Sequence, residues 1–203
     1  MSSIDKLSIQ GIRSFSPEAK QEIYFGTPLT LIVGANGCGK TTIIECLKYS
    51  TTGDMPPNSK GGAFVFDPKM KGSREVSAQV RLFLRATDQR RYSITRNLQT
   101  LLKGKSQSFK TLESDIGRLE NDGTVTTMSS RAQNLDERVP KFLGVSKAIL
   151  EYVIFTHQED SLWPLSEPAV LKKRFDEIFQ VFKFSKSVDL LKSFKKESVA
   201  DCK

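Results

Sequence analysis

The chain has 203 residues, 38% of them apolar and 27% charged, with a formal net charge of +8. That is a soluble globular balance, and no apolar run approaches the roughly 18 residues a membrane helix needs. The opening Met1-Ser2-Ser3-Ile4-Asp5-Lys6 lacks a signal-peptide core and the Arg-rich character of a transit peptide, so a nuclear or cytosolic setting is expected.

Leu7 and Ile9 alternate with polar residues and predict a first strand, with a turn near Ser16-Pro17; Ile23 and Phe25 predict a short second one. Pro28-Leu29-Thr30-Leu31-Ile32-Val33 is nearly continuously apolar, as expected of a strand buried on both faces. It leads into a glycine-rich turn, after which Ile43, Ile44 and Leu47 mark one face of a helix ending near Gly53. Residues 55–62 read as a loop, and Phe64-Val65-Phe66 is a brief apolar patch. Val76, Ala78, Val80, Leu82 and Leu84 alternate with Ser77, Gln79, Arg81 and Phe83, a long strand whose return lies around Tyr92 and Ile94. Asn121-Asp122-Gly123 before Thr124-Val125-Thr126 signals a further hairpin, so residues 74–128 read as an antiparallel layer. Leu135, Val139, Phe142 and Leu143 have helical spacing despite Pro140. Ser146 suits the cap of a helix carrying Ile149, Leu150 and Val153. Ser166 suits the cap of a longer one, with Pro168 in its first turn and a stripe from Leu171, Phe175, Ile178 and Phe182 on to Val188, Leu191 and Phe194. Cys38, Cys46 and Cys202 have no pairing pattern and read as reduced thiols, and the lone His157 has no neighbour with which to build a zinc site.

Gly34-Ala35-Asn36-Gly37-Cys38-Gly39-Lys40-Thr41 fits the phosphate-loop pattern GxxxxGK[ST], between an apolar run and an amphipathic helix. Glycine lets backbone N–H groups approach phosphate oxygens, and the helix N-terminus adds partial positive charge. Lys40 would neutralise the β- and γ-phosphates and the Thr41 hydroxyl would ligate Mg²⁺. The next polar signal, Thr156-His157-Gln158-Glu159-Asp160, ends the apolar stretch Tyr152-Val153-Ile154-Phe155. That order resembles the ABC-type ATPases, in which a glutamine here, Gln158, touches Mg²⁺ and the attacking water. No apolar run ends in Asp-Glu and no LSGG-type signature occurs, so the catalytic carboxylate is expected from elsewhere.

Lys6-Leu7-Ser8-Ile9-Gln10-Gly11-Ile12-Arg13-Ser14-Phe15, Thr41-Thr42-Ile43-Ile44-Glu45-Cys46-Leu47-Lys48-Tyr49, Phe66-Asp67-Pro68, residues 153–167 and Lys173-Arg174-Phe175-Asp176-Glu177-Ile178-Phe179 carry a more specific resemblance. Over essentially its whole length the chain resembles the N-terminal half of the ATPase head in the eukaryotic Rad-fifty family of SMC-like ABC ATPases. It departs at Thr156, where a cysteine is usual, and Cys38 takes a small-residue position.

The resemblance implies an α/β P-loop NTPase of ABC/SMC type: a mixed core sheet with the P-loop helix, an antiparallel β-layer and a helical segment entering a coiled coil. Residues 1–184 would form the lobe and 185–203 the base of the coil. It implies ATP and Mg²⁺ as ligands, with zinc confined to a hook that is not in this chain. Nucleotide contacts would come from Arg13, Asn36, Gly37, Gly39, Lys40, Thr41, Thr42, Val65, Asp67 and Gln158, with Thr41 and Gln158 at the metal and Lys40 and Gln158 in catalysis. Implied partners are the chain's own C-terminal ATPase half, a second head joined through ATP, the Mre-eleven nuclease, the third MRN/MRX subunit and double-stranded DNA. The implied setting is the nucleus and chromosome, in double-strand-break repair, recombination, meiosis and telomere maintenance.

Lys6, Lys103, Lys105, Lys110, Arg118 and Arg131 are candidate contacts to duplex phosphate, against the plainer reading of solvated loop charge. Two rivals to coupled hydrolysis stay open: a slow nucleotide-switched clamp, and a scaffold that docks a nuclease through the C-terminal helix.

Overall fold

The computed structural model describes residues 1–57, 59, 62–103, 106–120, 124–129, 132–156 and 161–201. Expectations for Gln158, His157, Cys202, Lys105, Arg131 and the 121–123 turn fall outside that set, and of Lys103 only the backbone lies within it.

Strand β1 (Ser3–Gln10) pairs antiparallel with β2 (Gln21–Tyr24) on one side and β3 (Glu75–Arg85) on the other. β3 and β4 (Arg91–Lys103) form a long hairpin in register from Glu75↔Leu101 to Arg85↔Arg91. β4 also pairs with β5 (Ser106–Thr111) and β6 (Asp115–Leu119), and β6 with β7 (Val125–Ser129). The order is β2-β1-β3-β4-β6-β7, with β5 beside β4. The antiparallel layer read from residues 74–128 thus extends through β1 and β2 into one sheet.

The period of two along β3 sends Val76, Ala78, Val80, Leu82 and Leu84 to one face, all buried, and leaves the alternate residues partly or wholly accessible. Helix α1 (Lys40–Thr52) lies on the buried face against β3 and β4, through Ile43, Cys46, Leu47 and Tyr49. The Tyr49 ring meets Phe64 edge-on at 5.6 Å. The short α2 (Pro68–Lys71) follows Phe64, and α3 (Ala132–Leu143) packs on α1 and β6 through Leu135 and Val139. Pro140 is accommodated near the end of α3, where Phe142 stacks on Tyr92 at 4.3 Å. Ser146 accepts from the Ile149 N–H and caps α4 (Lys147–Ile149), which continues as a π-helical turn, Leu150–Ile154.

Three expectations are corrected. Residues 28–33 form no strand; Leu29, Leu31 and Val33 are 79–81% exposed, and none of the described strands pairs with this segment. An apolar run becomes a buried strand only when neighbours supply hydrogen bonds along its edges and cover its faces. The C-terminal helix is also not continuous. After α5 (Pro168–Ile178) the chain passes through Gln180 at φ 54° before α6 (Val181–Asp201). A left-handed residue cannot continue a right-handed helix, so the side-chain stripe is interrupted. Ser166, expected as a cap, ends the short 3₁₀ turn Trp163–Leu165, and Glu167 stands at the cap of α5 without a side-chain bond.

The C-terminal end of α1 is polar yet fully buried. Ser50 and Thr51 hydroxyls donate to the Leu47 carbonyl and that of Thr52 to Lys48, each at 2.9 Å. Arg96 of β4, 3% exposed, donates from Nε to the Ser50 carbonyl at 3.1 Å and from Nη2 to Asp136 at 2.7 Å. One guanidinium therefore ties sheet, α1 and α3 together. Arg96→Ala leaves the buried Ser50 carbonyl without its donor and should cost about 2 kcal/mol, and chemical denaturation should show it as a lower midpoint at unchanged slope.

Candidate phosphate-binding site

α1 starts abruptly. Gly39 precedes it at φ 83°, with no side-chain cap on the first turn, so the leading N–H groups point outward without an internal acceptor. Gly37 also has positive φ, 84°, and a Cβ there would project into open space at the loop mouth. At Gly39 a Cβ would lie 3.2 Å from the Phe15 ring, so the loop is seated on the turn after β1. The Cys38 amide donates within the loop to Ala35 at 3.4 Å. Lys40 spans the loop, its ammonium donating to the Gly34 carbonyl at 2.8 Å and to Ala35 at 2.7 Å. Asn36, Gly37 and Thr41 are exposed, whereas Thr42 is 5% exposed and contributes through its backbone. Outward amides, a helix N-terminus and an ammonium at one mouth suit a polyanion.

The turn after β1 brings in further expected residues. Arg13 donates its N–H to the Phe64 carbonyl at 2.9 Å, Ile12 bridges Val65, and the Phe66 N–H donates back to Gly11 at 2.9 Å. Arg13 and Val65 are thus tied together through an isolated bridge, two residues before the Phe15 ring that meets Gly39. Arg13 does not pair with Asp67. Its Nη2 meets Glu45 at 2.8 Å, and Glu45 is 3% exposed on α1. Asp67 instead caps α2, accepting from the Lys69 N–H at 2.9 Å. Sequence reasoning passed over Glu45, although an acid among Ile43, Cys46 and Leu47 on the apolar face of a helix is itself a signal.

Gln158 is outside the described residues, but its flanks are tied together. The Trp163 indole N–H donates to the Tyr152 carbonyl at 2.8 Å, and the Tyr152 hydroxyl to Glu177 at 2.6 Å. Burial, then the Glu177 bond, pushes the Tyr152 phenol up. Arg174 lies over the Tyr152 and Trp163 rings at 5.2 and 5.6 Å.

The candidate DNA contacts divide. Lys6 pairs with Glu22 at 2.9 Å and sits over the Phe83 ring, and that hydrogen bond lowers the Glu22 carboxyl. Arg118 pairs with Glu120 through both Nε and Nη2, while Lys110 is exposed on β5. Among the described residues no cluster of His, Cys, Asp and Glu is arranged to hold a metal ion, and no helix is long and apolar enough to cross a membrane.

A phosphate loop opening into a buried helix, carried on an antiparallel sheet and followed by a helical segment, defines the N-terminal lobe of an ABC/SMC-type P-loop NTPase. The chain belongs to the AAA domain family, whose model matches residues 6–200. Over its full length it is 59% identical to the DNA repair protein RAD50 of Saccharomyces cerevisiae and 55% to that of Schizosaccharomyces pombe, covering 16% of each. It is 28% identical, over 89% of its length, to the DNA double-strand break repair Rad50 ATPase of Thermoplasma volcanium, covering 18% of that relative. The chain therefore spans about one sixth of the length of the fungal relatives it matches.

The two described cysteines sit in opposite surroundings. Cys46 is fully buried on α1, and that burial pushes its thiol up, whereas Cys38 is exposed in the loop. A maleimide should label Cys38 in the native protein and Cys46 only after denaturation, with peptide mass spectrometry locating the adduct.

Proposed function

We propose that this chain is the nucleotide-binding N-terminal half of an ATPase head that works in DNA double-strand-break repair. The observation that carries the reading is the uncapped first turn of α1 behind Gly37 and Gly39, with Lys40 across its mouth. ATP with Mg²⁺ supplies the phosphoanhydride and the metal charge. Asn36, Gly37, Gly39, Lys40, Thr41 and Thr42 would hold the phosphates, Thr41 and Gln158 the metal, and Arg13, Val65 and Asp67 the rim. Lys40 would leave the Gly34 and Ala35 carbonyls for the β- and γ-phosphates, exchanging neutral partners for charged ones.

The chain would act as half of a site. Neither an Asp-Glu run after apolar residues nor an LSGG-type signature is present, so the C-terminal half would supply the catalytic carboxylate and signature. The exposed apolar side chains of residues 28–33 support this division, since such a run would be covered by strands from the other half. Alone, the fragment is expected to hydrolyse almost nothing.

In the whole protein, ATP would join two such heads and bring them to double-stranded DNA, with residues 185–203 leading into the coiled coil. The Mre-eleven nuclease and the third subunit would be its partners, on chromosomes in the nucleus. Lys103, Lys105, Lys110 and Arg131 would contribute sequence-independent phosphate contacts, while Lys6, already paired with Glu22, is the weakest of that group.

Lys40→Ala in the full-length protein should weaken Mg-ATP binding by at least about tenfold and abolish ATP-dependent head dimerisation. Calorimetry and light scattering read the two effects; a variant that still dimerises on ATP would refute the role given to Lys40.

A further inference from the structure

We propose that Glu45 is a positioning residue for the nucleotide site: it holds the Arg13 guanidinium at the rim of the phosphate loop, so that Arg13 meets the nucleotide already in place. The inference rests on the nucleotide-site reading above and goes beyond it by giving a role to a residue with no place in the loop motif.

Glu45 is placed against the ordinary logic of an amphipathic helix. It shares the buried face of α1 with Ile43, Cys46, Leu47 and Tyr49, and only 3% of it is exposed. A carboxylate in such a place is strongly destabilising unless a cation meets it. That cation is Arg13, whose Nη2 donates to Glu45 Oε1 at 2.8 Å.

Arg13 is held in an unusual way. Its backbone has φ 46°, a left-handed conformation that side-chain-bearing residues rarely adopt. The bond from its amide to Phe64 and the Ile12–Val65 bridge impose it. Two residues on, Phe15 lies against Gly39 of the phosphate loop. The Arg13 side chain is one-third exposed, and its buried Nε has no hydrogen-bond partner. Such a buried donor without an acceptor is costly, and function is a common reason for keeping one.

Lys40 and Glu45 belong to the same rigid helix, five residues apart. The distance from the phosphate loop to the Arg13 guanidinium is therefore set by little more than one helical turn and a single charge-assisted bond. A long side chain fixed before binding loses less rotamer freedom when a ligand arrives. Without Glu45, Arg13 would have to find its position each time nucleotide bound. Loss of a pair that merely stabilised the fold would lower the melting temperature without linking the two residues in nucleotide affinity.

The test is a double-mutant cycle in the full-length protein, reading ATP hydrolysis and the affinity for a non-hydrolysable Mg-ATP analogue. Glu45→Ala and Arg13→Ala should each raise KM about tenfold, with kcat changed less than about threefold, and the double variant should be no worse than Arg13→Ala. Glu45→Gln keeps shape and an acceptor oxygen, so it guards against loss of fold; it should raise KM about threefold and have no further effect when Arg13 is already alanine. A folded Glu45→Gln with wild-type KM, or penalties that multiply in the double variants, would overturn the proposal. Lys40→Ala separates the two layers. If it binds nucleotide normally the nucleotide-site reading fails, whereas loss at Lys40 with no effect at Glu45 sinks the positioning role alone.

Discussion

A run of main-chain N–H groups can hold a polyphosphate only if something else keeps them aimed at one point. In this chain that work falls to the packing of α1 on the inner face of the sheet. Tyr49, Cys46, Leu47 and Ile43 bury one side of the helix, and Arg96 fastens its far end to β4 and α3. The near end is left without a side-chain cap, and its unsatisfied donors are the ones the proposed site would use. Rigidity at one end of the helix and unspent hydrogen-bonding capacity at the other are two consequences of the same placement.

The same economy applies to the segment before the loop. Residues 28–33 have the composition of an interior strand but stand with alternate side chains exposed. Such a segment is stable only when strands on either side accept and donate along its edges. The proposed half-site would give this observation a cause, since in that reading the C-terminal half supplies the strands that cover residues 28–33. In the proposed reading the same division would separate Lys40 from the carboxylate that activates water, and binding and hydrolysis would then be coupled through assembly.

Much of this was legible in the sequence. The alternation of residues 76–84 carries a full period-two signal because one face of β3 is apolar and the other is not, and the structure follows it residue by residue. The glycine-rich turn and the helix after it were equally plain, because glycine spacing and a following amphipathic run are local signals. Long-range features were less accessible. Residues 28–33 have strand composition, but composition does not say whether partners exist. The break at Gln180 leaves no mark on an apolar spacing that runs through it. Arg13 was expected at the rim, but its partner was not, since a pair separated by 32 residues depends on how β1 and α1 meet. Glu45 was visible as a misfit on an apolar face, and misfits of that kind are the places where local preference yields to function.

The most direct measurement is amide hydrogen exchange on the full-length protein with and without a non-hydrolysable Mg-ATP analogue, followed through peptides covering residues 34–42. If the amides at the head of α1 are the anion cradle, nucleotide should slow their exchange sharply while the core strands, already protected, change little. Unaltered exchange across that stretch at saturating nucleotide would contradict the account at its root.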